Sequence, residues 1–362
     1  MNPGTLADAL IARGLEAGEH EAKQALFTGV LETWRMTRGD TPRHVWWVPG
    51  RLEVFGKHTD YAGGRALVAA APRGFAAAAG PRPDSTIRVI DARRGETLEL
   101  SPVAARHSAA DGQPHPARLP GWRHYVDVTA RRLAKNFPGR SFGADIVIAS
   151  DLPPASGMSS SSALVITIAE ALGRIGEIHK TPEWRLNVRG PLDAAGYYAC
   201  IENGRSFGSL DGDVGVGTHG GSEDHSAIVN GRSGHVLGFA FVPSRALGGA
   251  AVPDAWRFVI GTCGVKANKT GRAQAAYNKL SADAAALLAR WNDRGAAGPA
   301  AVSLAAALET PGGADLLRQI AGDLRNRLDH FIREDGRILP AMEAFRRGDA
   351  AEIGRLSDES QA

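Results

Sequence analysis

Three short stretches hold residue types that could do chemistry together. The first, "PGRLEVFGKHTDYAGG", sets Arg51, Lys57, His58 and Asp60 within ten positions, between a Pro-Gly step and paired glycines. An arginine there can hold an anion or depress a carboxylate pKa, and Asp60 can accept hydrogen bonds from sugar hydroxyls. Any one of these residues fits a solvated turn equally well, and it is their clustering that favours a ligand site. The second, "DLPPASGMSSSSALV", places four serines, Ser159 to Ser162, after Gly157. The third, "GTHGGSEDHSAIV", offers His219, Glu223, Asp224 and His225 behind a glycine-rich approach that includes Gly221.

The chemistry of the last two depends on the elements that carry them. "GADIVIASDLP" reads as a buried strand and "ALVITIAEALGRIG" as an apolar helix, so the serines fall at a strand-to-helix turn. A helix start exposes backbone N–H groups and the positive end of its dipole. The serine hydroxyls there either cap the helix or, with Gly157 admitting close backbone approach, touch phosphate and ligate Mg²⁺. There is no GxxxxGK[ST] element, so this is not an ordinary P-loop. The third stretch reads as a metal cluster or as a carboxylate held against a substrate hydroxyl. Its spacing matches no familiar zinc pattern and it lacks cysteine, which favours the carboxylate.

The remaining chain supplies a frame. Residues 5–38 carry an amphipathic helical pattern ending at Gly39-Asp40, and "HVWWVPG" and "RLEVFG" read as short strands. "RALVAAAPRGFAAAAG" reads as a strand pair, and "STIRVIDARRGETLELSP" as a two-stranded unit turning at Arg94-Gly95. "GWRHYVDVTARRLAKNF" and "PLDAAGYYACIENGRSFG" read as helices, residues 104–120 as loop, "AWRFVIGTCGV" as a strand, and the tail from Ser281 as Ala-rich helix. Strands and helices mix without strict βαβ alternation, which predicts an α+β fold in two lobes, 1–235 and 236–362, divided where turn residues cluster.

Global properties narrow the function. A formal charge of +3 over 362 residues, with basic residues dispersed, suits anionic small molecules and gives little for nucleic acid. Two cysteines, Cys200 and Cys263, suit a reducing compartment. The first residues carry acids and no apolar h-region, and no run approaches a membrane span, so the expected location is the cytoplasm, without membrane partners.

Taken in order, "GRLEVFGKHTDYAGG", "LPPASGMSSSSAL" and "FVIGTCGVKANKTGRAQAAYN" resemble galactokinases, a branch of the GHMP small-molecule kinases. "GWRHYVDV" and "ACIENGRSFG" resemble galactokinase segments too, and the likeness runs from about Phe27 to the last residue. It implies the two-lobed GHMP kinase fold: an N-terminal lobe like ribosomal protein S5 domain 2, and a ferredoxin-like α/β C-terminal lobe. The implied activity is transfer of the ATP γ-phosphoryl group to a monosaccharide hydroxyl, the anomeric one, on galactose, a related sugar or a uronic acid. In that reading Asp224 orients the attacking hydroxyl and takes its proton, with Arg51 beside it. Lys57, His58, Asp60 and Gly221 line the sugar. Gly157, Ser159, Ser160 and Ser161 cradle the phosphates, Ser161 and Glu202 ligate Mg²⁺, and Trp122 packs near adenine.

Three departures qualify the resemblance. Lys57 stands where galactokinases carry a glutamate, so a hydrogen-bond acceptor or an anion is expected opposite it. An insertion between Glu202 and Asp224 brings Asp211 and Asp213 as rival metal ligands, and "GSEDH" replaces the usual Gly-Ile-Met-Asp-Gln. The C-terminal motif Gly-Arg-Met-Thr-Gly-x-Gly-x-Gly-Gly-Cys is missing, which reads as truncation of the C-terminal lobe. Alternatives from other classes are an inactive sugar- or nucleotide-binding relative and another GHMP branch; the second fits the serines but not "HTDY".

Overall fold

The structure is a computed structural model describing residues 2–101, 118–153, 156–261, 271–293 and 300–361. Its elements, in chain order, are α1 (Pro3–Ile11), α2 (His20–Arg38), β1 (His44–Phe55), β2 (Arg65–Pro81), β3 (Ile87–Asp91), β4 (Glu96–Leu100), α3 (Trp122–Asn136), β5 (Ala144–Ser150), α4 (Ser160–Ile175), α5 (Pro182–Asn187), α6 (Pro191–Asn203), α7 (Glu223–Asn230), β6 (His235–Ala240), β7 (Arg245–Ala251), α8 (Gly271–Asn292), α9 (Leu304–Leu308), α10 (Gly313–Ile320), α11 (Arg325–Arg347) and α12 (Ala350–Gln361). The fold is α+β, as expected. It forms two compact units, one of residues 1–50 and 71–217, the other of 51–70 and 218–362. Each unit therefore takes two chain segments, whereas the turn residues had suggested one crossing after residue 235.

In the first unit the strand order is β4-β3-β5-β2. β5 runs antiparallel to β2, pairing Ala78 with Val147, and parallel to β3, pairing Val89 with Ile146. The run of alanines in β2 has a packing reason. Phe27, Val30 and Trp34 of α2 lie on Ala76, Ala78, Val147 and Ala149, and a methyl group at Gly80 would stand 2.9 Å from the Trp34 ring. Small residues on the strand leave room for the large ring on the helix. Trp34 keeps its own polar atom satisfied by donating from Nε1 to Asp40 Oδ1 at 3.0 Å.

In the second unit the start of β2 pairs with β6, Leu67 opposite Gly238, and β6 pairs with β7. Helix α11 covers this sheet with Ile338, Ala341, Met342 and Phe345 against Phe55, Leu67, Val236 and Ala250. Its N-terminal half enters a second core, where Leu328 and Phe331 meet Ala62, Leu287, Trp291, Leu304 and Leu317.

Several elements differ from their sequence reading. "HVWWVPG" and "RLEVFG" form one strand, β1, and "RALVAAAPRGFAAAAG" forms one long strand, β2, in place of a pair. Within 5–38 the helical pattern breaks after Ile11 and resumes in α2, which ends on Gly39 in the left-handed region. Residues 255–261 carry no strand. Val259 is 90 % exposed there, so alternating apolar residues found no sheet to bury them among the described residues. Most of the expected 104–120 loop, and residues 262–270 including Cys263, lie outside the described residues.

Candidate active site

The second unit holds the residues of the first and third stretches. Strand β1 alternates its side chains, so Arg51 and Glu53 share a face. Arg51 Nη2 lies 2.9 Å from Glu53 Oε2, 2.6 Å from Asp224 Oδ1 and 3.2 Å from Glu223 Oε1. Glu223 and Asp224 come from the first turn of α7, where acids are favoured by the dipole. Three carboxylates on one nitrogen exceed what one guanidinium neutralises. Glu223 is the most buried of them, and burial, then the Glu53 charge, push its carboxyl well above the usual carboxylate range against the pull of Arg51. Burial also opposes the charge of Arg51, but Asp224, Glu223 and Glu53 outweigh it and hold the guanidinium firmly protonated.

Asp60 sits beside this cluster in a short 3₁₀ turn and is buried. Its Oδ1 accepts from the Tyr61 N–H at 2.9 Å and its Oδ2 from the Glu223 N–H at 3.2 Å. Burial raises its pKa, against those two N–H groups. Gly221 is why the loop before α7 comes so near: a methyl group there would stand 2.4 Å from Asp60 Oδ2. A larger residue at 221 cannot coexist with this approach.

His58 holds a positive φ of 61°. Its ring meets Tyr277 edge-on, centroids 5.3 Å apart. Thr59, buried between, has its hydroxyl 2.8 Å from both the Gly56 and Arg65 carbonyls and braces the two ends of the turn with one proton. Lys57 is exposed and has no hydrogen bond or ion pair to another described residue. Its charge is felt at His330, which burial, then Arg327, and Lys57 hold below the ordinary histidine value against Glu334. His219 donates its backbone N–H to Asn278 Oδ1 at 3.0 Å, and among the described residues no group of three or more His, Cys, Asp or Glu could hold a metal.

The first unit holds the serine loop. Asp151 anchors its start, accepting from Lys23 Nζ at 2.5 Å and from the Gly74 N–H at 2.7 Å. Gly157 takes a φ of 75° and Ser159 a φ of 55°, and the Ser159 carbonyl accepts from the Ala163 N–H at 2.9 Å. The Ser159 hydroxyl does not cap α4, contrary to the capping alternative at that residue. Ser160 and Ser161 are half-buried, and Tyr125 hydrogen-bonds Ser161. Burial, then the nearby Glu202 charge, push the Tyr125 phenol up to about 12. Ser162 is buried and donates to Glu202 Oε2 at 2.8 Å. Of the rival ligands, Asp213 pairs with Arg131 at 3.3 Å and Asp211 is exposed, its carbonyl accepting from Asn136. Trp122 opens α3 and donates from Nε1 to Glu96 at 2.9 Å.

Comparison with known proteins bears on both units. A family model described as the galactokinase galactose-binding signature matches residues 33–81, the segment that carries Arg51, His58 and Asp60. The GHMP kinases N terminal domain matches residues 124–195, which include the serine loop. A galactokinase of Roseiflexus sp. is 29% identical over 344 residues, 93% of this chain and 77% of that protein. The chain is similar to galactokinases along most of its length and matches the GHMP kinase N-terminal domain over part of it.

A galactokinase of Streptomyces coelicolor is 27% identical over 94% of this chain and 78% of its own length. In fold, this galactokinase-like chain is similar to Lactococcus lactis galactokinase complexed with galactose, with a TM-score of 0.66 at 21% identity over 92% of this chain and 78% of that one.

Four residues of the cluster in the second unit escaped the sequence reading. Glu53 had a signal, since two residues on from Arg51 in a strand is the same face. Tyr61 and Tyr277 lay inside quoted motifs without a role; the Tyr277 hydroxyl would be 2.9 Å from a methyl group at Gly220, which puts it against the same glycine loop. Arg327 had no local signal at all.

Proposed function

We propose that this protein is a sugar 1-kinase: it transfers the γ-phosphoryl group of ATP to the anomeric hydroxyl of galactose, a related sugar or a uronic acid. The observation that carries the reading is the Asp224 carboxylate held 2.6 Å from Arg51, with Asp60 brought alongside under Gly221. In the reaction the hydroxyl oxygen forms a bond to the γ-phosphorus, the bond from that phosphorus to the bridging oxygen breaks, and ADP leaves. Asp224 orients the hydroxyl and accepts its proton. Arg51, gripped by three acids, aims Asp224; its charge is committed there and not to the phosphoryl group. Asp60, His58 and Gly221 bind the sugar.

The nucleotide side is read from the first unit. Gly157 and Ser159 to Ser161 would receive the phosphates at the start of α4, and Trp122 would lie near the base. Ser161 and Glu202 would hold Mg²⁺: hydroxyl and carboxylate are the hard oxygens that ion prefers, and it commonly takes one carboxylate with substrate phosphates. The ion would supply neutralisation of phosphate charge. Glu202→Gln is expected to raise the Mg²⁺ concentration for half-maximal rate about tenfold or more, read from a Mg²⁺ titration of ADP release. A shift below twofold removes Glu202 from the metal site.

We place the protein in the cytoplasm, on its two cysteines; no helix among the described residues is long and apolar enough to cross a membrane. Lys57 points to an acidic sugar, since an ammonium group donates only. ADP release over galactose, arabinose, galacturonate and glucuronate tests the function. The expected result is turnover with at least one of them, galacturonate preferred, and a swing of about tenfold toward galactose in Lys57→Glu. No turnover across the panel overturns the kinase reading, and equal preference in both proteins removes Lys57 from recognition.

A further inference from the structure

Arg327, on α11, is 7 % exposed. Its Nη2 donates to the His58 carbonyl and, at 2.8 Å, to the Tyr61 hydroxyl. Its Nη1 lies 2.8 Å from His330 Nδ1, and the guanidinium carbon stands 5.6 Å from the Tyr61 ring centroid. Nε is buried with no hydrogen-bond partner among the described residues. None of these contacts is a carboxylate. The comparison inside the same unit is direct: Arg51 has three acids, Arg337 has Glu334 at 2.5 Å, and Arg65 has both oxygens of Asp335.

A buried cation without an acid is costly, and burial does lower the Arg327 pKa, against the pull of Tyr61, Asp283 and Asp60. Packing alone does not require a guanidinium there, since a methionine of similar length would fill the volume. What the cation supplies is one nitrogen, Nη2, that reaches both ends of one turn at once, while Nη1 lies against His330. Those ends are His58 and Tyr61, and His58 sits at a φ that a non-glycine residue adopts only when its surroundings hold it. Asp60 lies between them. Further along α11, Asp335 accepts from the Arg65 backbone N–H at 2.7 Å, so the same helix grips the chain on both sides of the turn.

We propose that Arg327 is the positioning residue for sugar recognition: its two Nη2 contacts fix the His58–Tyr61 turn so that Asp60 meets the sugar in one orientation. This rests on the reading of Asp60 as a sugar ligand. In this proposal Arg327 acts through its contacts to His58 and Tyr61, not by meeting the sugar itself.

The test uses Arg327→Met, Arg327→Lys and Tyr61→Phe, with sugar binding by calorimetry in the absence of ATP, kinetic constants from ADP release, and Tm. Arg327→Met is expected to weaken sugar binding and raise the sugar KM about ten- to hundredfold, leaving the ATP KM within about twofold. Arg327→Lys should recover part of the loss, and Tyr61→Phe should show a smaller loss of the same selectivity. A folded Arg327→Met with unchanged sugar affinity, or one that raises both KM values equally, overturns the proposal. If Arg327→Met does not fold, Tyr61→Phe decides, and unchanged sugar affinity there overturns it. A wild type that binds sugar without turnover refutes the kinase reading alone. A wild type that binds none of the four sugars refutes both.

Discussion

Asp224→Asn is expected to lower kcat about a thousandfold, the range lost with a positioned proton acceptor, while the protein stays folded. The two effects separate because of the crowding around Arg51. Asparagine keeps the shape of the side chain, and Arg51 still has Glu53 at 2.9 Å and Glu223 at 3.2 Å, so no buried cation is stranded. Sugar and ATP KM values should move little, since Asp60 and the serine loop are untouched. Initial rates with saturating substrates, beside a thermal melt, are the measurement. A kcat within tenfold of wild type would show that Asp224 is not the acceptor.

Arg51→Met should do the opposite to stability. It leaves Glu53, Glu223 and Asp224 facing one another without a counter-charge, with Glu223 buried, and is expected to cost about 3–5 kcal/mol. Activity should fall with it, because Asp224 loses the group that aims it. The deficit should depend on pH in a definite direction. Burial and the Glu53 charge already hold the Glu223 carboxyl above the usual carboxylate range, and losing the opposing pull of Arg51 raises it further, so the folded variant binds that proton more readily than the unfolded chain. Its contribution is then intact below the usual carboxylate range and is lost as pH rises through the raised folded value. The gap in stability between wild type and variant should therefore narrow from pH 7.5 to pH 5. Denaturant melts at both pH values check this. A gap that is constant, or wider at pH 5, would mean that repulsion among the acids is not what Arg51 relieves.

How much of this was legible beforehand differs from residue to residue. "GRLEVFGKHTDYAGG" announced a compact polar turn, and the structure has one there, with Asp60 buried in it. The serine loop was read as a strand-to-helix junction and is one, between β5 and α4. The fold class followed from the mixed pattern of strands and helices. Strand boundaries were misplaced in β1 and β2, because Pro49-Gly50 and Pro72-Arg73-Gly74 look like turns locally but lie inside long paired strands. "AWRFVIG" alternates like a strand, yet alternation only offers a face, and a strand forms when a partner covers it.

The sequence by itself determined what is local: which residues share a turn, a strand face or a helix start, and so the kinds of group available for holding a sugar and a phosphate. Tertiary structure alone decided the partners. Glu223 meets Asp60 across 163 residues and Arg327 reaches His58 across 269. Backbone periodicity constrains neighbours within a few positions, while contacts over such separations depend on how helices and sheets pack. Whether an acid is paired, crowded or buried is thus a property of the packed unit, and those surroundings are what turn Glu223 and Arg327 from ordinary charged residues into costly ones.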